Sequence, residues 1–181
     1  MKKLIIAAGL ITALALAAFG TTGGLPVSFA GSWTLDKEKS QGLDQRMQNA
    51  ESVECVITQD DNTISVEWKI TGSQPQGGGP GGGGGGRGPA GPRSYSLDGK
   101  EATTEAGGQM GGTNTLKATW SDATKTLELM SVRTGNFNGN DFKATTTEKM
   151  SLSADGKVLT IARSSESPRG KQESTLVFNK K

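Results

Sequence analysis

The segment Thr63-Ile64-Ser65-Val66-Glu67-Trp68-Lys69-Ile70 constrains the fold of this chain more than any other. Its apolar residues, Ile64, Val66, Trp68 and Ile70, recur with a period of two, and Ser65, Glu67 and Lys69 fall between them. Successive side chains of a strand point to opposite faces, so the pattern describes a strand with one buried and one wet face. A slip of one residue would turn all four apolar groups to water, which pins the register. Val53, Cys55 and Ile57 form a weaker version just before it. Asp60-Asp61-Asn62, residues suited to tight turns, stand between the two and predict a hairpin.

The same grammar recurs along the chain. Tyr95-Ser96-Leu97 leads through Asp98-Gly99 into Lys100 to Glu105, and Leu116, Ala118 and Trp120 alternate before Leu127 and Leu129. Phe142 to Leu152 runs through Asp155-Gly156 into Val158 to Arg163, and Pro168-Arg169-Gly170 precedes Thr175 to Phe178. Asp-Gly between two such runs predicts a hairpin closed by a type I′ turn, with positive φ at both central residues. With a first strand over Phe29 to Leu35, about ten strands are expected. Lys37 to Ala50 is the one helical candidate, with Asp36 as N-cap and Gly42 interrupting it. The fold class is therefore all-β: an antiparallel meander barrel of about 8–10 strands with one short helix after the first strand.

Before this domain, Met1-Lys2-Lys3 and the apolar run Leu4 to Phe19 have the order of a secretory signal peptide, residues 1–20, with an alternative cut after Ala30. The run is short of the ~20 residues that a spanning helix needs, and none follows later, so no transmembrane anchor is expected after cleavage. The mature protein is expected to be periplasmic or secreted. Of the chain's 20 basic residues, Lys2 and Lys3 leave with the signal; 18 then face 18 acidic ones, a balance that argues against nucleic acid as partner. There is no His, which excludes His-based nucleophilic triads and His-ligated metal. The single Cys55 permits neither an intramolecular disulfide nor a thiolate cluster, so no metal site and no cofactor are expected. Residues 27–181 form one domain, interrupted at 72–93 by a glycine-rich loop. Gly77 to Pro92 alone holds 11 of the 27 glycines. Such a tract buries too little side chain to recover its ordering entropy and reads as disordered.

Phe29-Ala30-Gly31-Ser32-Trp33-Thr34-Leu35-Asp36, followed by Lys39-Ser40, resembles the opening of exported bacterial lipocalin-like proteins, a mostly uncharacterised group with a meandering barrel. Ile57-Thr58-Gln59-Asp60, Tyr95 to Glu101 and Leu152 to Lys157 resemble the same group, as does the glycine-rich insert. The resemblance implies a structural closure of one barrel end, with Gly31 and Trp33 on the first strand and Arg163 from a late strand packed on the indole. The chain departs from the lipocalin pattern in its single Cys, in lacking a long C-terminal helix and in its strand count. A ten-stranded fatty-acid-binding-like barrel or a flattened sandwich stays open at this point.

Ile64, Val66, Trp68, Leu116, Trp120, Leu129 and Phe142 are the residues expected on the inner face, where they would line a site for a small hydrophobic ligand or simply pack on one another. The corresponding functions are an exported binding module for a small hydrophobic molecule or, alternatively, an envelope structural or interaction protein with a filled barrel. Thr145, Thr146, Thr147 and Glu148 break the alternation of their strand. They read best as an edge; if Glu148 were buried, Arg133 would be its expected partner. Glycoside hydrolysis needs no His, only two spaced carboxylates, but Glu54, Glu67 and Glu128 single out no pair, so an enzyme is not expected. Cys55 reads as a small buried hydrophobe.

Overall fold

The computed structural model describes residues 27–72, 91–105, 112–121, 125–137 and 139–181. The signal segment 1–20, its first cut and nearly all of the glycine-rich loop lie outside them. The described residues form ten strands and one helix: β1 Gly31–Leu35, α1 Gln45–Asn49, β2 Ser52–Gln59, β3 Thr63–Thr71, β4 Arg93–Ser96, β5 Ala102–Glu105, β6 Thr113–Ser121, β7 Thr126–Phe137, β8 Asn140–Leu152, β9 Val158–Ser167 and β10 Gly170–Lys180. All pairings are antiparallel, in the order β4-β3-β2-β1-β10-β9-β8-β7-β6-β5. β1 lies between β2 and β10 and so joins the first strand to the last. β4 comes back against β6, which nearly closes the sheet into a barrel. The all-β meander expected from the sequence is the observed fold.

The β2–β3 hairpin forms as its alternation requires. Gln59 pairs with Ile64 and Cys55 with Trp68, and the Asp60 carboxylate accepts from the backbone N–H groups of Asn62 and Thr63 at 2.8 and 2.7 Å, which holds the turn. Asp155-Gly156 joins β8 to β9, but its turn is not type I′. Gly156 N–H donates to Ser153 O at 2.9 Å, and of the central pair only Gly156, at φ 68°, has positive φ. The bend is spread over Ser153 to Gly156, so Asp155 needs no left-handed backbone.

Asp98-Gly99 is not a hairpin at all. β4 pairs with β3, β5 pairs with β6, and the two strands that flank the turn are the two ends of the sheet. Leu97 N–H bonds Asn62 O at 2.7 Å, which ties the turn to the β2–β3 hairpin instead of across to β5. A turn does form here, but only Gly99, at φ 77°, has positive φ, so it is not type I′ either, and turn residues do not choose strand partners.

The helix is shorter than its sequence window. Gly42, at φ 66°, breaks it, and Asp44 rather than Asp36 is the N-cap, accepting from Met47 N–H at 2.8 Å. Asp36 instead binds Lys39 and Asn179. Glu148 and its neighbours are not at an edge: β8 lies between β7 and β9 over most of its length. Ion-pairing to β9 makes the inward carboxylate tolerable.

Most of the core occupies one half of the barrel, and Met47 of α1, with Ala50 and Val53, extends it. Phe29, Trp33, Ile57, Ile64, Leu127, Leu159 and Phe178 are all at most 2% exposed and fill that end. Phe29 is anchored by its N–H to Gln59 Oε1 at 2.9 Å and by its carbonyl, which accepts from Trp33 Nε1 at 3.0 Å. A chain cut after Ala30 would lose this plug.

Candidate functional site

Because side chains alternate across a strand, the inner face can be read along each strand from its register. On β7 the inward residues are Leu127, Leu129, Ser131 and Arg133; on β8 they are Leu152, Met150, Glu148, Thr146, Ala144 and Phe142; on β9 they are Leu159, Ile161, Arg163 and Ser165. Leu152, at the rim of β8, is partly exposed; the next two positions on β8 and the first two on β7 and β9 are buried, and those beyond are partly exposed. β10 repeats the change, from buried Phe178 and Leu176 to half-buried Ser174. The interior thus has an apolar closed half and a polar, solvent-reaching open half.

The register stacks these residues in rows. Leu129, Glu148, Arg163 and Ser174 form one row, and Ser131, Thr146, Ser165 and Gln172 the next toward the open end. Thr146 Oγ1 and Ser165 Oγ are 3.2 Å apart. Arg163 Nε stands 3.4 Å from Glu148 Oε1, and the Arg163 guanidinium lies 6.0 Å from the centre of the Trp68 ring. Arg133, two residues beyond Ser131, lies 5.9 Å over Phe142. Arg93, from β4, donates to Ser131 Oγ at 3.4 Å. Tyr95, in phase with Arg93, is buried; burial and then the Glu148 charge push its hydroxyl above the usual phenol range, while Arg93 and Arg163 pull the other way. Met47 of α1, with Arg163, Ser165 and Ser174, borders a cavity of about 80 Å³ at this end.

The residues expected to line the interior divide between the halves. Ile64, Val66 and Leu129 are 0, 3 and 1% exposed and belong to the packed core. Trp120 is stacked on Phe29, ring centres 5.9 Å apart, and closes the same half. Trp68, Leu116 and Phe142 are partly exposed and stand in the open half. Trp68 also meets Phe178 edge-on at 5.6 Å, so it spans the boundary.

The closure expected from Trp33 and Arg163 is built differently. Trp33 is fully buried, as a closing residue should be, but the cation over its ring is Lys180, 5.3 Å from the centre. Gly31 gives the Lys180 stem room: a Cβ there would stand 3.3 Å from Lys180 Cε. Arg163 sits further along β9, paired with Glu148, so Arg133 is not the partner of that carboxylate. The choice between Arg133 and Arg163 depends on the β8–β9 register, which sequence spacing does not determine.

Sequence reasoning missed Arg93 and Tyr95 as interior residues and placed Arg133 inside only as the partner of a buried Glu148. The signal was nonetheless present: Arg133 is in phase with Leu127 and Leu129, Arg163 with Leu159 and Ile161, and Glu148 with Met150. A charged residue that keeps the phase of core positions is either inward-facing or beyond the core's end, and here these residues stand at that boundary. Cys55 is a buried free thiol, as expected of a small hydrophobe. The three carboxylates weighed for hydrolysis are dispersed on the outer face, where Glu54 pairs with Lys181, Glu67 with Lys69 at 3.3 Å and Glu128 with Lys149 at 3.3 Å.

Among the described residues no helix is long and apolar enough to cross a membrane. No family model matches the sequence, and no curated protein matches it. Among solved structures, the chain is similar to zebrafish ileal bile acid-binding protein complexed with cholic acid, with a TM-score of 0.45 and 11% identity over 84% of this chain and 98% of that one.

Proposed function

We propose that the protein is an exported binding module, periplasmic or secreted, that takes a small, mainly hydrophobic molecule into the open half of its barrel. The apolar run behind Lys2 and Lys3 supports export. The observation that carries the binding role is the gradient along the inner face: packing is complete as far as Leu129, Ile161 and Leu176, and beyond them Trp68, Leu116 and Phe142 keep apolar surface within reach of solvent. Burying such surface is worth about 25 cal/mol per Å², so micromolar affinity, about 8 kcal/mol, requires at least roughly 330 Å² of apolar surface buried between ligand and pocket.

Titration with Nile red, an uncharged dye whose emission rises in apolar surroundings, tests this reading. The expected result is saturable one-to-one binding, weakened at least tenfold by Trp68→Ala and little changed by a folded Trp120→Ala variant, because Trp120 is committed to Phe29. Saturable binding unaffected by Trp68→Ala, or none, would contradict the assignment.

A second reading has one specific observation in its favour. The edges of β4 and β5 are each paired on one side only, and all four residues of β5 are exposed, so a partner strand could add there. Retention of a protein partner that a proline at Thr103 abolishes would favour an interaction role.

A further inference from the structure

We infer that the open half of the barrel recognises an anionic head group, so that the ligand is an amphiphile with one carboxylate-like anion and an apolar body. The inference rests on the binding role proposed above and names the chemistry of the molecule bound there. Three arginines, Arg93, Arg133 and Arg163, come from β4, β7 and β9 to the inner face around the hydroxyl row of Ser131, Thr146 and Ser165. Arg133 is one step beyond that row and Arg163 one step before it. A step of two residues along a strand spans roughly 7 Å, and neighbouring strands lie about 4.8 Å apart, so one small group set against the row is within reach of these long side chains.

The charges do not balance. Glu148 is the one buried acid among the described residues, and it is taken by Arg163. Of the other acids near this end, Asp44 caps α1, Glu173 is paired with Lys171, Asp141 accepts from Asn136, and Asp141 and Glu166 fall on the outward phase of their strands. Arg93 meets a serine hydroxyl and Tyr95, and Arg133 meets the face of Phe142; no carboxylate lies within 4.0 Å of either among the described residues. Arginine remains charged at any physiological pH, so two positive charges stand uncompensated inside a barrel.

The buried nitrogens confirm that hydrogen-bonding capacity is unused. Among the described residues, the buried side-chain nitrogens and oxygens without a hydrogen-bond partner are Nε of Arg133 and Nε of Arg163. The latter is near Glu148 but lacks hydrogen-bond geometry. A planar anion with two oxygens matches the guanidinium fork, and the hydroxyl row supplies further donors. Trp68 and Phe142 flank the same two guanidinium groups, so an alkyl or ring body bound beside the anion would lie on apolar surface.

Calorimetric titration of the protein, delipidated by partial unfolding and refolding, with dodecanoate and with dodecan-1-ol tests this inference. Dodecanoate is expected to bind at least tenfold more tightly, and Arg133→Met is expected to reduce the acid-to-alcohol affinity ratio to within about threefold. Arg93→Met, at the shorter edge strand, provides the same comparison should Arg133→Met fail to fold. Equal binding of acid and alcohol by the wild-type chain would overturn the anion site and leave the apolar pocket standing. Failure of both to bind would overturn the pocket and the anion site together.

Discussion

Glu148 and Arg163 face each other across the β8–β9 register, with Oε1 and Nε 3.4 Å apart where the apolar half of the barrel gives way to the polar half. The Glu148 side chain is 7% exposed and that of Arg163 29%, so the acid depends on the cation more than the reverse. Leaving a buried charge without its partner costs more than the pair itself contributes. Arg163→Leu is therefore expected to destabilise the protein by about 3 kcal/mol in urea denaturation. Replacing both residues by Leu should recover most of that loss; a double variant destabilised by the sum of the Arg163→Leu and Glu148→Leu effects would show that the pair is not coupled.

Gly42 occupies a left-handed backbone beside β10. A Cβ there would lie 2.3 Å from the carbonyl oxygen of Glu173, whereas Gly156, at a similar φ, has open space around it. Gly156→Ala is expected to cost about 1 kcal/mol from backbone strain alone. Gly42→Ala should cost clearly more and loosen the Gln41–Thr175 bridge. Thermal unfolding of the two variants measures the difference, and equal melting temperatures would rule out the close approach.

Asp98 holds the turn between the two sheet ends. Its carboxylate accepts from Lys100 N–H at 2.9 Å and Ser96 Oγ at 2.7 Å and pairs with Lys100 Nζ at 3.0 Å, which lowers its pKa from the ordinary 3.8 to about 2. The folded state favours the ionised form, so the contribution is complete above about pH 4 and is lost as the pH falls through about 2. Carbon NMR of the Asp98 carboxyl should show a midpoint near pH 2. A midpoint near 3.8 would mean that the turn does not hold in solution.

Cys55 lies in the core, where burial first and the Glu148 charge second push its thiol far above the usual range. The thiolate is the reactive form, so the native protein should resist dithionitrobenzoate at pH 8 and react once per chain in urea. Rapid native labelling would place Cys55 outside the core.

The barrel was legible in the sequence wherever a strand carried its own evidence. The alternation of Ile64, Val66, Trp68 and Ile70 fixed the face and register of β3, because a half-buried strand permits one arrangement. What a strand pairs with is decided elsewhere in the chain. Asp98-Gly99 has the residues of a hairpin turn and separates two strands that never meet, since β3 and β6 take them first. Burial of Glu148 was illegible for the same reason: its partner Arg163 lies fifteen residues away on β9, and only the β8–β9 register brings them together. Trp33 could be read as a closing residue, but the identity of its cation, Lys180, depends on the β1–β10 pairing. The interior arginines were visible only as residues in phase with the core, a signal that acquires meaning once the length of the apolar half is known.

Native mass spectrometry of the protein purified gently from the cells that make it tests the central claim most directly. The account predicts one apolar, anionic amphiphile per chain, released on denaturation and absent from a folded Trp68→Ala variant. A chain that carries nothing, and takes up nothing when dodecanoate is added, would contradict it.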